Sequence, residues 1–220
     1  MDFNNARFNM VEQQIRPWDV LDFDLLDVLQ DIPRELFVPD AQKAIAYTDQ
    51  VLPLANGSEM TEPKIVARMI QALKLTNTES VLEVGTGSGY GTAILAAMAH
   101  SVLTVDLDAA QLQQAEAVLQ QLNRNNVTYK QADGLQGVND QAPYQAILVG
   151  GSCPVVPATL KAQLADGGRL IAMIGDAAEP IQRATLVVRT GDTFTEKRLF
   201  DAYIAPLQGA EALVASRFTF

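Results

Sequence analysis

Hydrophobic positions fall into two regimes along this chain. Before residue 76 they recur at helical spacing over residues 8–14 and 20–30, on either side of Arg16-Pro17-Trp18. Pro33 and Pro39 then bracket the short apolar group Leu36-Phe37-Val38, and a stretch with little periodicity runs through Ala55-Asn56-Gly57-Ser58. Thr61-Glu62-Pro63-Lys64 reads as a helix start, with a hydroxyl at the N-cap and a proline inside the first turn. Ile65, Met69, Ile70 and Leu73 mark one apolar face of that helix, which ends near Leu75.

From Ser80 onward, short apolar runs alternate with helical segments. The spacing predicts strands over residues 80–84, 102–106, 127–130, 144–149 and 169–173, and helices over 92–99, 109–122 and 157–164. Strands joined by helices of this length imply a parallel sheet with helices on both faces. The tail changes pattern. Residues 185–189, a Gly191-Asp192 turn, and residues 197–205 and 212–218 read as antiparallel strands on one edge of that sheet. The expected class is α/β: a Rossmann-like, doubly wound, mostly parallel sheet with antiparallel C-terminal edge strands and an N-terminal helical cap. Residues 1–75 form the cap with its loop and residues 76–220 the sheet domain, together one compact unit.

Composition narrows the partners. With 48% hydrophobic and 19% charged residues, the chain has ample material for a core and is not globally disordered. It carries 16 Lys+Arg against 26 Asp+Glu, a net charge of -10, with no basic run. Phosphate backbones and anionic bilayers both need concentrated positive charge, so neither nucleic acid nor a membrane surface is an expected partner. Cys153 and His100 are each the sole residue of their kind, which leaves no intramolecular disulfide and no Cys/His zinc cluster, so no metal is expected. The N-terminal segment lacks the basic start and apolar run of a secretory signal. The longest apolar-rich stretch, residues 92–99, is far short of the roughly 20 residues a spanning helix requires. The expectation is a soluble, cytoplasmic protein.

The most informative segment is Glu83-Val84-Gly85-Thr86-Gly87-Ser88-Gly89-Tyr90-Gly91, which follows one predicted strand and precedes a helix. Glycines there let a ligand approach the backbone, and N–H groups at the helix start point at its polar end. The dinucleotide pattern G-x-G-x-x-G does not fit: counted from Gly85 the sixth position is Tyr90, and counted from Gly87 it is Thr92. A P-loop ending in Gly-Lys-Ser/Thr is absent as well. Acid-x-Gly-x-Gly-x-Gly instead resembles the first motif of class I S-adenosylmethionine-dependent methyltransferases. That resemblance implies a second acid at the end of the next strand, to hydrogen-bond the ribose hydroxyls. Asp106 ends that strand, 21 residues after Gly85. Asp133-Gly134 follows the third strand, where the family places its adenine-edge contact.

The resemblance extends over nearly the whole chain and narrows to the protein-L-isoaspartate O-methyltransferases. It is carried by the glycine segment with Thr92-Ala93, by Ile32-Pro33-Arg34-Glu35-Leu36-Phe37-Val38-Pro39, Ala46-Tyr47-Thr48-Asp49 and Leu52-Pro53-Leu54 in the cap, and by Pro143-Tyr144-Gln145-Ala146-Ile147-Leu148-Val149, Gly167-Gly168-Arg169-Leu170 and Ala205-Pro206-Leu207 further on. The family implied is one that repairs damaged proteins, methylating the free carboxylate of isoaspartyl residues with S-adenosylmethionine. Glu83, Gly85, Gly87, Ser88 and Gly89 would then hold the methionine end and the chain turn, Asp106 the ribose, and Asp133 with Gly134 the adenine. Isoaspartyl-containing proteins or peptides would be the substrate.

The chain departs from the family at the loop that reads Gln-Thr-Ile-Ser, a variable residue and Pro, whose serine contacts the acceptor carboxylate. Here the aligned residues are Ser58-Glu59-Met60-Thr61, ahead of Pro63. Thr61 keeps a hydroxyl, and on this resemblance it would take the catalytic, acceptor-orienting role, though an N-cap is an equally good reading of it. Glu59 and Glu62 beside an anionic acceptor would repel it by about 4 kcal/mol per pair at about 4 Å and an effective dielectric near 20. Lys64 offsets part of that, or both carboxylates point to solvent. Gly150-Gly151-Ser152-Cys153 also replaces a run that is typically Thr and Ala in the family. Two other readings therefore stay open: a changed acceptor, with Glu59 or Glu62 as base toward a hydroxyl or amine, and a cofactor-binding paralogue without turnover. His100 reads as a helix-end cap or solvent-facing residue, Trp18 as cap packing and Cys153 as an unactivated thiol near the strand end.

Overall fold

The computed structural model describes residues 2–176 and 180–214. Its N-terminal third is helical because apolar side chains arrive in clusters that no strand period can bury on one side. Asp2 accepts from Asn5 N at 3.1 Å and caps α1 (Phe3–Asn9). That helix passes into a π-helical stretch, Met10–Ile15, which buries Met10, Val11 and Ile15, and then a 3-10 turn at Arg16–Trp18. The helix expected over residues 8–14 is thus partly widened to π geometry. Asp22 caps α2 (Phe23–Asp31) by accepting from Leu25 N at 3.1 Å. Pro33 prevents that helix from continuing, and a 3-10 turn, Arg34–Phe37, follows.

The stretch without periodicity contains a minimal antiparallel pair, β1 (Leu52–Pro53) with β2 (Glu59–Met60), in which Leu52 faces Met60. Helix α3 (Pro63–Leu73) then buries Ile65, Met69, Ile70 and Leu73 as its spacing predicts. Its start corrects one expectation. Glu62, not Thr61, occupies the N-cap position, and no side chain caps the helix there. Pro63 supplies the first turn with a residue that has no N–H to satisfy.

The strands are β3 (Ser80–Val84), β4 (Ser101–Asp106), β5 (Val127–Gln131), β6 (Tyr144–Cys153), β7 (Leu164–Ile174), β8 (Gln182–Thr190) and β9 (Thr193–Ala202). Between them lie α4 (Tyr90–Met98), α5 (Ala109–Gln121) and the short α6 (Ala158–Ala162). The sheet order is β5-β4-β3-β6-β7-β8-β9, parallel through β7 and antiparallel at β8 and β9. This is the doubly wound sheet with antiparallel edge strands that the pattern implies. Strands β6, β7 and β8 are longer than expected: β6 runs on to Cys153 through a register shift between Leu148 and Ser152, β7 starts at Leu164, and β8 spans Gln182–Thr190, while β9 lies earlier than the expected 197–205. The strand expected over residues 212–218 is not one where it is described. Ala210–Leu213 forms a 3-10 turn, and residues 215–218 lie outside the described residues.

Strand alternation separates two cores. Val81, Val102, Ala146 and Ile171 pack toward α2, α3, α4 and Leu119 of α5, in one cluster that also takes Met10, Phe37 and Ile65 from the N-terminal region. Leu82, Leu103, Ile147 and Leu170 point the other way, onto Leu135, Leu160 and Ala210. The C-terminus of α3 is tied to β7 by Arg169, whose Nε donates to Leu73 O at 2.8 Å and whose Nη2 donates to Lys74 O at 3.0 Å.

Close packing around the first crossover generates a prediction. Gly89 has φ +82°, and a Cβ there would lie 2.6 Å from Ala115 Cβ on α5. Gly89→Ala combines a left-handed backbone penalty with overpacking and is expected to cost about 2–4 kcal/mol. Urea denaturation checks this; a cost under about 1 kcal/mol would mean that α5 yields freely.

Candidate active site

Sheet order reverses between β3 and β6, so the carboxyl ends of these two strands open a crevice. The turn after β3 occupies it. Gly85 and Gly87 have φ of +90° and +52°, and a Cβ built on Gly87 meets nothing within 4 Å. The backbone there is therefore open to a ligand. Gly150 meets the turn from β6, where a Cβ would lie 2.6 Å from Gly85 O. The glycine pair that departs from the family run is, at Gly150, what lets the two strand ends approach. Ser88 turns its hydroxyl back to accept from Tyr90 N at 3.3 Å, at the start of α4.

The acids sit at different depths. Glu83 is 2% exposed, and its Oε2 accepts from Thr92 Oγ1 at 2.5 Å and from Thr104 Oγ1 at 2.7 Å. Thr86 adds a hydroxyl contact to Thr104 at 2.6 Å. Burial outweighs the two hydroxyl bonds and pushes the carboxyl up to about 7, with the nearby Asp106 charge acting in the same direction. Asp106 accepts from Gly87 N and from Asp108 N, each at 3.0 Å, and so pins the glycine turn to the end of β4. Asp133 is exposed and accepts from Leu135 N at 3.0 Å, capping the 3-10 turn Gly134–Gln136. Gly134 packs on the strand ends, because a Cβ there would lie 2.5 Å from Val84 Cγ1.

Two adjoining cavities result. The larger, of about 730 Å³, is lined by Gly85, Gly87, Asp106, Asp133 and Gly134, with Asn56, Ser58 and Glu59 on its far wall. That wall is clasped to α5: Asn56 Nδ2 donates to Asp108 Oδ2 at 3.0 Å, and Gln111 Nε2 donates to Ser58 Oγ at 2.9 Å. The smaller, of about 70 Å³, is lined by Thr61, Glu83, Ser88, Gly89's neighbour Tyr90, Ile204 and Arg34, and shares Glu59, Gly85, Gly87 and Gly150 with the larger. Gly89 itself lines neither and acts on packing instead.

The candidate glutamates separate. Glu59 is exposed at the junction of both cavities. Glu62 lines neither; it is half-buried, its Oε2 has no hydrogen-bond partner, and burial raises its pKa against the opposing pull of Lys64. Lys64 pairs with Asp49 at 2.6 Å and lies 4.2 Å from the ring centroid of Trp18. Trp18 is 41% exposed, a surface cation–π partner instead of a packed cap residue. His100 is exposed. Cys153 is buried in the second core away from both cavities, its thiol pushed up to about 12 by that burial.

Residues beyond those picked out in the sequence complete the site. Arg34, Tyr90, Asn56 and Gln111 all bear on the cavities, yet each stands in sequence as an ordinary cap, helix or loop residue. Only their long-range partners give them away. Among the described residues, no group of three or more His, Cys, Asp or Glu side chains is placed to hold a metal ion.

A doubly wound sheet with a glycine turn at its switch point and strand-end acids around one cleft defines a class I methyltransferase fold. The family model for Protein-L-isoaspartate(D-aspartate) O-methyltransferase (PCMT) matches residues 6–212. The protein-L-isoaspartate O-methyltransferase of Roseiflexus sp. (strain RS-1) is 40% identical over 218 residues, 99% of each chain. Protein-L-isoaspartate O-methyltransferase 1 of Rhodopseudomonas palustris (strain HaA2) is 41% identical over 210 residues, 95% of this chain and 85% of the relative. The chain belongs to the protein-L-isoaspartate O-methyltransferase family. A solved protein-L-isoaspartate O-methyltransferase shares its fold with a TM-score of 0.82 at 24% identity, covering 93% of this chain and 66% of that one. The Plasmodium falciparum beta-aspartate methyltransferase (PCMT) in complex with S-adenosyl-L-homocysteine superposes with a TM-score of 0.75 at 20% identity, covering 94% of this chain and 98% of that one.

Glu83 gives the site a pH signature. The carboxyl ionises at its ordinary 4.5 in the unfolded chain and near 7 in the folded one, so between these values the native state holds a proton that the unfolded state has released. Its contribution to stability is whole below about pH 4.5 and is lost as pH rises through about 7, by about 3 kcal/mol at roughly 1.4 kcal/mol per pH unit. Glu83→Gln keeps an oxygen for both threonines and removes the titration. Denaturant melts from about pH 5 to about pH 8 should show wild type losing about 3 kcal/mol relative to Glu83→Gln; parallel profiles would refute the shifted carboxyl.

Proposed function

We propose that this protein transfers the methyl group of S-adenosylmethionine to the free carboxylate of isoaspartyl residues in damaged proteins and peptides. The observation that carries this reading is the full-length likeness to named protein-L-isoaspartate O-methyltransferases, joined to a cavity in which Thr61 and the glycine turn face one small space. The cleft fits the cofactor. Its floor is backbone without side chains at Gly85 and Gly87, its carboxylates suit hydroxyl and amine donors, and its volume of about 730 Å³ lies in the range of ligand pockets. When bound, S-adenosylmethionine supplies an electrophilic methyl on a sulfonium.

This chain's own residues then have separate tasks. Asp106 holds the ribose hydroxyls while fixing the turn through Gly87 N, and Asp133 with Gly134 borders the adenine. Glu83, Gly85, Gly87, Ser88 and Gly89 form the turn and the methionine end. The Thr61 hydroxyl donates to the acceptor carboxylate. A carboxylate with a pKa near 4 is already ionised at neutral pH, so no residue needs to take a proton. Orientation is the main requirement, and the narrow cavity supplies it by excluding water and limiting approach. Residues 1–75 act as the acceptor-side cap over a methyltransferase domain of residues 76–220. No helix is long and apolar enough to cross a membrane among the described residues; a cytoplasmic setting is part of this proposal, as is the absence of nucleic-acid partners.

Glu59 favours one second reading. Placed at the junction of both cavities, it is positioned to serve as base toward a hydroxyl or amine acceptor. Labelled methyl transfer to an isoaspartyl peptide and its normal aspartyl twin separates the two. Isoaspartyl-selective, base-labile label is expected; label on neither peptide with normal cofactor binding overturns the substrate. Thr61→Ser should stay within about 3-fold of wild type. Thr61→Ala loses one charge-assisted hydrogen bond and should lower kcat/KM about 10–100-fold, with cofactor affinity unchanged.

A further inference from the structure

Arg34 is fully buried, with 0% of its surface exposed, at the start of the 3-10 turn that follows Pro33. Its Nε donates to Ala46 O at 2.8 Å and its Nη2 to Thr61 O at 3.0 Å. The guanidinium carbon lies 4.7 Å from the ring centroid of Tyr90. Nη1 is buried and makes no hydrogen bond, although the Tyr90 hydroxyl, likewise buried and without a hydrogen-bond partner, stands close enough to act on the guanidinium more strongly than Glu62 does. A guanidinium is always charged, and leaving one of its N–H groups unpaired away from water is costly. Yet this side chain lines the same small cavity as Thr61, Glu83 and Tyr90. Glu62 is the nearby carboxylate whose charge acts on Arg34, but no hydrogen bond joins the two and Glu62 lines neither cavity. The cavity, of about 70 Å³, has room for a carboxylate group.

We infer that Arg34 is a specificity-determining residue whose free Nη1 donates to one oxygen of the acceptor's α-carboxylate, beside the Thr61 hydroxyl. The inference rests on the isoaspartyl reading above and extends it. One carboxylate oxygen is held by Arg34, and the other is left to take the methyl. Arg34 also sets the height of Thr61 by bonding its carbonyl, so the two acceptor contacts are one rigid unit. Charge recognition explains how a loop that carries Glu59 and Glu62 tolerates an anionic acceptor: a buried guanidinium lines the same cavity as Thr61.

The test compares binding of an isoaspartyl peptide with that of its α-carboxamide counterpart to protein saturated with S-adenosylhomocysteine, by calorimetry. Wild type should prefer the carboxylate by about 10–100-fold, the range of a charge-assisted hydrogen bond. Arg34→Gln should reduce that preference to within about 3-fold while S-adenosylhomocysteine affinity stays near wild type. Because Arg34 also holds Ala46 and Thr61, a variant that fails to fold is replaced by a measurement on wild type. In guanidinium ¹⁵N NMR, the Arg34 Nη signal should move on adding the carboxylate peptide and stay still with the carboxamide. A folded Arg34→Gln protein that keeps its preference, or an unmoved guanidinium signal in a wild type that methylates the peptide, overturns the role of Arg34 alone. A wild type that neither binds nor methylates the isoaspartyl peptide overturns the substrate reading and this inference with it.

Discussion

The cleft opens where sheet order reverses between β3 and β6, and there the two strand ends must approach closely without side chains between them. Gly85 and Gly150 satisfy that constraint, since a Cβ at residue 150 would fall 2.6 Å from Gly85 O. Much else follows from this approach. Asp106 accepts from Gly87 N, and Gly85, Gly87 and Gly150 together border both cavities, with Thr61 on the wall of the smaller one. Gly150 therefore matters as backbone geometry, in a place where a departure from the family run suggested an altered acceptor pocket.

Beneath the turn lies a buried polar network that trades stability for organisation. Glu83 loses its water and gains two threonine hydroxyls, which leaves its carboxyl near 7. A half-satisfied buried acid is unfavourable in an apolar core. Here it adjoins a cavity that would receive a positively charged ligand, so the unfavourable burial is in the one place where binding can relieve it. Arg34 has the opposite sign on the same cavity, and unlike Glu83 it keeps one buried polar atom, Nη1, without a hydrogen bond. The pair gives the small space one acidic and one basic wall.

The glycine turn, Asp106 and the helix-strand alternation were readable because each depends on neighbours in sequence. A strand-end acid is set by period and by the length of its strand, and a turn of alternating glycines has few other uses. Arg34 stands in a run that carries the family resemblance but was not readable as a site residue, because its partners Ala46 and Thr61 lie 12 and 27 residues away. Glu59 and Glu62 look alike in sequence, three residues apart. Only the pairing of β1 with β2 and the onset of α3 at Pro63 separate them, one into the cavity junction and the other into the cap. Ser88 and Asp133 carry the residue types expected of ligand contacts, and both also satisfy nearby backbone N–H groups, a use that any Ser or Asp in a turn can have.

Local order along the chain settled the class of fold, the site of the glycine turn and the family, because hydrophobic period, turn chemistry and strand-end acids are short-range properties. Folding alone settled which of several similar polar residues reach the cavities, since burial and hydrogen-bond partners arise from contacts between segments dozens of residues apart. Electrostatics divide in the same way. Net charge is a sum over residues and needs no structure, whereas the raised carboxyl of Glu83 and the unpaired guanidinium of Arg34 exist only once packing has removed water from around them.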